Sequence, residues 1–184
     1  MFTIRKILTV NLPSKRGFKS FSPYLFNIGD VIPKGLQGLQ ENSPGNTADI
    51  GADVAKGTHV IVGLPAAFSP ACSSSHVPGY IEHLSDLKKK GIDNVIVTTV
   101  NDSFVTKAWS DSFDLPQDIR IIADTQGKFA DAGGYLFDSK RIFGNDRSMR
   151  YALIVKEGKV VQEFLEPDKT GLNISSAANI LKHL

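Results

Sequence analysis

Cys72 is the only cysteine among the 184 residues, and its thiol is the first candidate for chemistry in this chain. The reactive form of a cysteine is the thiolate, which acts as a nucleophile. Unpaired backbone N–H groups and the helix macrodipole favour this negative charge at the start of a helix. A lone cysteine can equally be a small buried hydrophobe. Whether Cys72 is reactive or only packs in the core therefore has to be judged from the residues around it.

The residues on either side of Cys72 predict a strand followed by a helix. Residues 58–64 form a short, β-branched apolar run, as in a buried strand. Downstream, apolar residues recur at helical spacing until a run of lysines and a glycine at 88–91, namely Val77, Ile81, Leu84 and Leu87. Ser69 is a candidate N-cap, and Pro70 suits the first turn because its missing N–H costs little there. We therefore expect Cys72 in the first turn of a helix.

The spacing Pro65-x3-Ser69-x2-Cys72 resembles the peroxidatic motif of peroxiredoxins, which has Pro, Thr or Ser, and Cys at these positions. The continuation SHVPGYIE at 75–82 is similar to the type II, or atypical, peroxiredoxins of fungi, plants and mitochondria. The likeness continues through segments at 91–95, 100–104, 107–109, 149–155 and 166–172. The resemblance implies a thiol-dependent peroxidase that reduces hydrogen peroxide and organic hydroperoxides through a sulfenic acid on Cys72, with no cofactor.

The same resemblance implies roles for three further residues. Arg150, in the segment Met-Arg-Tyr, matches the active-site arginine of the family, which would stand beside the sulfur. Ser69 would supply a hydroxyl where threonine is commoner, and Pro65 would shield the sulfur from water. Without the family match, nothing in the sequence distinguishes Arg150 from its neighbours Arg141 and Arg147.

Other candidate residues are less clearly assigned. His76 lies four residues after Cys72, so it would share a helix face with the thiol and could assist its ionisation, or simply pack. Trp109 is expected in the core or in an interface. The remaining histidines are scattered, and with one cysteine they give no convincing zinc site; they are His59, His83 and His183.

Two alternative functions remain open at this point. Acyl transfer by a Cys72–His76 pair is conceivable, although no oxyanion or orienting partner is evident. A thioredoxin-like module for redox signalling or binding, with little turnover, is the second. The joint presence of Pro65, Ser69 and Arg150 with the cysteine argues against that module. Consumption of hydrogen peroxide with excess thiol would separate the three functions.

The elements that must position these residues predict one domain over residues 22–184, of thioredoxin-like α/β fold with a mixed central sheet flanked by helices. Beyond the first strand, we expect strands at 94–100 and 120–123, a helix at 104–113, a hairpin of 151–155 with 159–164, and a closing helix at 174–184. Residues 27–56 are rich in Gly, Pro, Asn and Asp, which predicts loops or a loose hairpin.

Residues 1–21 contain five basic residues and no acidic one, together with several Ser and Thr. This composition is typical of a mitochondrial transit peptide and predicts the matrix as the location. A basic tail without an address, and hence a cytoplasmic protein, is the alternative. The C-terminal residues 182–184 are only loosely similar to a peroxisomal signal. Residues 22–184 are near neutral or slightly acidic, which argues against a nucleic-acid partner, and no apolar stretch is long enough for a membrane span.

The cysteine count also restricts how the cycle closes. Many type II relatives carry a second, resolving cysteine, for which we would look at Val97 and Ile174. Neither is cysteine, and because Cys72 is the only cysteine in the chain, an intramolecular disulfide is impossible. We expect an external thiol to reduce the sulfenic acid, either glutathione with glutaredoxin or a thioredoxin. The resemblance also implies a homodimer.

Overall fold

A six-stranded mixed sheet lies at the centre of the computed structural model, which describes residues 26–184. Its strands, in spatial order, are β1 (Leu39–Gln40), β4 (Ile119–Asp124), β3 (Asn94–Thr99), β2 (Thr58–Leu64), β7 (Tyr151–Lys156) and β8 (Lys159–Leu165). β2, β3 and β4 are parallel, whereas β1, β7 and β8 are antiparallel to their neighbours. β5 (Leu136–Phe137) and β6 (Arg147–Ser148) form a separate two-stranded sheet. The predicted leader at 1–21 lies outside the described residues.

Helices cover both faces of the central sheet. Those of the described part are α1 (Ile50–Asp53), α2 (Val77–Glu82), α3 (Leu84–Lys89), α4 (Ser103–Asp111), α5 (Lys128–Ala132), α6 (Lys140–Phe143) and α7 (Ala177–Ile180). A π-helical turn, Cys72–His76, leads directly into α2, and a 3-10 turn, Leu181–His183, follows α7. The predicted α/β class, with a mixed sheet flanked by helices, is confirmed.

The core consists of two apolar clusters, one on each face of the sheet. Side chains alternate along a strand, so Val60 and Val62 of β2 pack on the face of α2 and α3, while Ile61 packs on the opposite face. Cys72 belongs to the cluster on the face of α2 and α3. Both faces of the parallel strands are buried, which explains why their sequences are continuous apolar runs rather than alternating ones.

Gly63, near the end of β2, lies under the ring of Tyr151 in the neighbouring strand β7. A Cβ at this position would collide with that ring. Because Gly63 has no side chain, the ring of Tyr151 can cover the backbone of β2. Tyr151 is the first residue of β7 and directly follows Arg150.

Most predicted elements are confirmed within one or two residues, including both strands at 58–64 and 94–100 and the hairpin. Glu157 and Gly158 both have left-handed φ angles, 50° and 75°, as a two-residue hairpin turn requires. The predicted closing helix at 174–184 is wrong in its first three residues. Helix α7 begins only at Ala177, because the Ser175 N–H and hydroxyl bind the Glu166 carboxylate instead.

Several short elements were not predicted. β1, an edge strand of the central sheet, lies within residues 27–56, which were predicted to form loops or a loose hairpin, and Gln40 of this strand forms an isolated antiparallel bridge with Thr47. The helix α1 in the same region was not predicted, nor were α5, α6, β5 and β6 after β4. The helical segment after Cys72 is also interrupted at His83. None of the helices described for residues 26–184 has the length and apolar character of a membrane span.

Candidate active site

Cys72 lies at the start of the helical segment that follows β2, beyond the carboxyl end of that strand. Helical backbone begins at residues 70–71, and the Ser73 N–H donates to the Ser69 carbonyl at 2.9 Å. The N–H of Val77 donates to the Cys72 carbonyl, which is the wider i+5 spacing of a π-helix. The prediction that Cys72 lies in the first turn is confirmed. Its side chain is fully buried.

The segment before the helix holds the other two motif residues. Pro65 is buried, and Ser69 is half-buried with its hydroxyl donating to the Ala66 carbonyl at 2.9 Å. The hydroxyl thus has its hydrogen committed, while its oxygen can still accept a hydrogen bond. Phe68 has a left-handed φ of 58°, a conformation that costs a bulky residue on the order of 1–3 kcal/mol. This strained residue turns the chain immediately before Ser69.

Arg150 is buried, with 2% of its surface exposed, directly before β7. Its Nε donates to the Thr170 carbonyl at 3.0 Å, and one terminal nitrogen, Nη1, lies 3.0 Å from Nδ1 of His76. These acceptors are neutral, and no ion pair to Arg150 is found among the residues that the structure describes. The guanidinium is therefore held in place while its positive charge is not cancelled by a carboxylate in contact.

His76 connects this arginine to the helix of Cys72. Because a guanidinium only donates, Nδ1 of His76 must be the acceptor, so the ring hydrogen is on Nε2. Nε2 lies 2.9 Å from the Ser175 carbonyl, to which it donates. Burial, with a smaller contribution from Arg150, lowers the pKa of His76 to about 4. The ring is accordingly neutral at pH 7.

This geometry fits neither of the two roles considered for His76, a base for the thiol or a side chain that only packs. Both ring nitrogens are engaged with groups other than the thiol, so the ring is not placed to take a proton from Cys72. It does not merely fill space either, because it orients Arg150. The acyl-transfer alternative loses its base for the same reason. The sequence offered only the i+4 spacing as a signal, which could not show the partners.

Glu166 is a buried residue of the site that sequence reasoning missed, although it lies in the segment 166–172 of the family likeness. Its Oε1 accepts hydrogen bonds from Asn173 N, Ser175 N and Ser175 Oγ, at 2.7, 2.9 and 2.7 Å. The Ser175 carbonyl in turn accepts from His76 and from the Tyr80 hydroxyl, the latter at 2.8 Å. A carboxylate at the end of a strand, followed by a Pro-Asp turn, was the only sequence signal.

Trp109 is fully buried, which confirms the expectation of a core residue. Its Nε1 donates to the hydroxyl of Ser73 at 2.9 Å, so α4 is tied to the residue that follows Cys72. The ring also packs edge-to-face against Phe113. Trp109 therefore contributes to holding the π-helical turn as well as to the core.

The remaining predicted residues lie elsewhere. Arg141 is exposed, and Arg147 stacks over Phe143 and contacts the Val100 carbonyl, so neither takes the place of Arg150. Val97 is buried in β3, and Ile174 is 38% exposed beside Ser175. Within residues 26–184, no group of three His, Cys, Asp or Glu side chains could hold a metal ion.

Comparison with known proteins adds independent findings. Residues 18–181 match the family model described as Redoxin. Peroxisomal membrane associated protein 20 of Schizosaccharomyces pombe is 42% identical over 159 residues, which cover 85% of this chain and 98% of that protein. Peroxiredoxin-2B of Arabidopsis thaliana is 37% identical over 158 residues, covering 85% and 97%.

A solved structure shows the same likeness in three dimensions. The reduced Prx3 of Vibrio vulnificus in complex with hydrogen peroxide has a TM-score of 0.76 and 32% sequence identity, covering 87% of this chain and all of that one. The thioredoxin-like fold expected from the sequence is confirmed.

Proposed function

Because the chain belongs to the redoxin family and is a type II peroxiredoxin, a thiol-dependent peroxidase with a peroxidatic cysteine, we propose that Cys72 is that cysteine and that Arg150, Ser69 and Pro65 complete its site. The chain contains no other cysteine. One observation carries the proposal: a buried arginine, held by two neutral acceptors, is bound to the histidine one turn after Cys72.

The chemistry follows from this arrangement. The Cys72 thiolate attacks one oxygen of a peroxide, so that an S–O bond forms as the O–O bond breaks, and sulfur is oxidised while the peroxide is reduced. The departing oxygen leaves as hydroxide or alkoxide and takes up a proton to give water or an alcohol. Donors that are already in place where this charge develops lower the barrier.

The side chains named above would share this task. Arg150 would stabilise the thiolate and the departing oxygen, because no carboxylate of residues 26–184 contacts its guanidinium. The Ser69 oxygen would accept a hydrogen bond from the peroxide, since its own hydrogen goes to Ala66. Pro65, which is buried, would limit the access of water. Consumption of hydrogen peroxide with excess dithiothreitol tests the assignment: Cys72→Ser should abolish turnover, and full activity of this variant would refute it.

The reductant follows from the cysteine count. After oxidation, the sulfenic acid on Cys72 has to react with an external thiol, which releases water and forms a mixed disulfide that a second thiol reduces. We propose glutathione with glutaredoxin as this donor, with thioredoxin as the alternative. Turnover with each purified system, at equal thiol concentration, distinguishes them.

We propose that two copies of the chain associate through the surface near the site. Phe68 and Phe104 are 57% and 69% exposed, although large apolar side chains are usually covered. Phe68 precedes the motif serine, and Phe104 lies in α4, the helix that binds Ser73 through Trp109. Analytical ultracentrifugation should show a dimer that Phe104→Glu dissociates, whereas Ile142→Glu, at another exposed apolar residue, should leave it intact.

For location, we propose the mitochondrial matrix, supported by the basic, acid-free composition of residues 1–21. A fluorescent protein fused after the full chain should enter mitochondria, and deletion of residues 1–21 should prevent this. A cytoplasmic signal from the full chain would contradict the proposal. Peroxisomal signal that disappears when residues 182–184 are removed would contradict it in favour of the C-terminal tripeptide.

A further inference from the structure

We propose that Glu166 is a positioning residue for the peroxidase reaction, which fixes Arg150 through Ser175 and His76. The inference rests on the proposed role of Arg150. Glu166 follows the end of β8, and only 1% of its surface is exposed. Within residues 26–184, no hydrogen bond joins its side chain to Cys72 or to the guanidinium of Arg150, so any effect on the reaction has to pass through intervening groups.

The first of these groups is the segment at 173–175. The Glu166 carboxylate accepts two backbone N–H groups and one hydroxyl from this segment, and these donors keep it out of a helical conformation. Hydrogen bonds to an ionised acceptor are among the stronger ones in proteins. The carboxylate thereby fixes the position of the Ser175 carbonyl, which is the next group in the chain of contacts.

The Ser175 carbonyl selects the tautomer of His76. A carbonyl can only accept, so it requires the ring hydrogen to be on Nε2, and this leaves Nδ1 free to accept from Arg150. In the other tautomer, an N–H on Nδ1 would face the N–H of the guanidinium, and both hydrogen bonds would be lost. A displaced Ser175 carbonyl would therefore release the arginine even though neither His76 nor Arg150 had been changed.

A second connection runs through the backbone that follows Glu166. The Glu166 N–H donates to the Arg150 carbonyl at 3.1 Å, and its carbonyl accepts the Lys169 N–H at 3.0 Å. The Lys169 carbonyl accepts the Arg150 N–H at 2.7 Å, and the Thr170 carbonyl accepts its Nε at 3.0 Å. The backbone and the side chain of Arg150 are thus both hydrogen-bonded to the segment that begins at Glu166, residues 166–170.

Glu166 also supplies a negative charge in the same interior as the guanidinium. The two charges are separated by the neutral Ser175 carbonyl and the neutral His76 ring. Such a separation lowers the cost of burying Arg150 without a contact that would cancel its charge. Burial, with a smaller contribution from Glu166, keeps the pKa of Tyr80 well above its usual range, so its hydroxyl stays a donor to Ser175.

The test is a double-mutant cycle on the rate constant for oxidation by hydrogen peroxide, measured by stopped flow on the full chain. Glu166→Gln keeps the size of the side chain and one acceptor but removes the charge. We expect it to slow oxidation roughly three- to thirtyfold, and to have an effect below about twofold in an Arg150→Ala background. Glu163→Gln is the matched control, since Glu163 lies in β8, the strand that ends just before Glu166, and accepts from the Tyr135 hydroxyl at 2.6 Å. It should leave the rate unchanged.

Each outcome is decisive. An unchanged rate in Glu166→Gln, or an equal loss in both backgrounds, would overturn the positioning role. If Arg150→Ala itself oxidised at the wild-type rate, the proposed function of the arginine would fail instead.

Should Glu166→Gln not fold, Ser175→Ala provides a second test, because it removes only the hydroxyl donor to Glu166. NMR of the ¹⁵N-labelled protein reports the tautomer of His76. A partial loss of the Nε2–H tautomer is expected in this variant, and an unaltered tautomer with an unaltered rate would refute the inference.

Discussion

Arg150 donates to His76 across 3.0 Å, and this bond joins the residue before β7 to the helical segment that carries Cys72. The two residues are 74 positions apart in the chain. The arginine is locked from two directions by acceptors that carry no charge. A preorganised cation is what a reaction with a developing oxyanion requires, since no reorganisation is then needed at the moment of bond breaking.

Replacing Arg150 by lysine should slow oxidation by peroxide roughly ten- to a hundredfold, because charge-assisted hydrogen bonds contribute about 1.5–3 kcal/mol. Lysine keeps the charge but cannot donate at once to Thr170 and His76 in the geometry of a guanidinium. Stopped-flow oxidation of Cys72 measures this. Arg141→Lys, at an exposed position, is the control that should retain the wild-type rate. Equal rates of oxidation for the two variants would show that simultaneous donation by the Arg150 guanidinium to Thr170 and His76 does not matter for the reaction.

The lowered pKa of His76 should make stability depend on pH. A histidine in the unfolded chain has a pKa near 6.5, against about 4 in the folded protein. Below pH 6.5 the unfolded state therefore binds a proton that the folded state does not. The stabilisation that comes from neutral, buried His76 is fully present above pH 6.5. As the pH falls toward 4, the free energy of unfolding decreases by about 3 kcal/mol.

Urea unfolding at pH 4.5, 5.5, 6.5 and 7.5 checks this dependence. Between pH 4.5 and 6.5, the free energy of unfolding of His76→Gln should change less with pH than that of the unmodified protein. His183→Gln, at an exposed position near the C-terminus, should retain the full slope. A wild-type slope in His76→Gln would show that another group is responsible.

The bond between Trp109 and Ser73 should be measurable as a coupling free energy. Trp109→Phe keeps a buried ring but removes the Nε1 donor, and Ser73→Ala removes the acceptor. A coupling of about 0.5–1.5 kcal/mol is expected in urea unfolding of the two single variants and the double variant. The same variants should show faster proteolysis near Cys72. Purely additive effects would mean that the hydrogen bond contributes nothing.

One equivalent of hydrogen peroxide in the presence of glutathione should give a glutathione adduct on Cys72. The only cysteine has no partner within the chain, so the sulfenic acid has to react with an added thiol or with another molecule. Mass spectrometry of the intact protein identifies the product, and Cys72→Ser provides the unreactive control. A disulfide-linked homodimer as the main reducible product would contradict the proposed cycle.

The sequence by itself determined the local elements that carry the motif. The short β-branched run at 58–64, which ends in Gly and Pro, favours a buried strand, and Pro70 suits the first turn of the helical segment that carries Cys72. The Glu157-Gly158 pair sets the hairpin, since both residues take left-handed φ angles. These outcomes depend on preferences of neighbouring residues, which a sequence displays directly.

Tertiary structure alone decided how the site is held together. The choice of Arg150 over Arg141 and Arg147 needed either a family likeness or the fold, because all three are equivalent in sequence. His76 and Ser175 are 99 residues apart, and their contact fixes a tautomer that no spacing could reveal. The late start of α7 has the same origin, since a buried carboxylate competes for backbone donors that a helix would otherwise use. Such competition depends on which distant groups meet in the folded chain, and that is settled only by packing.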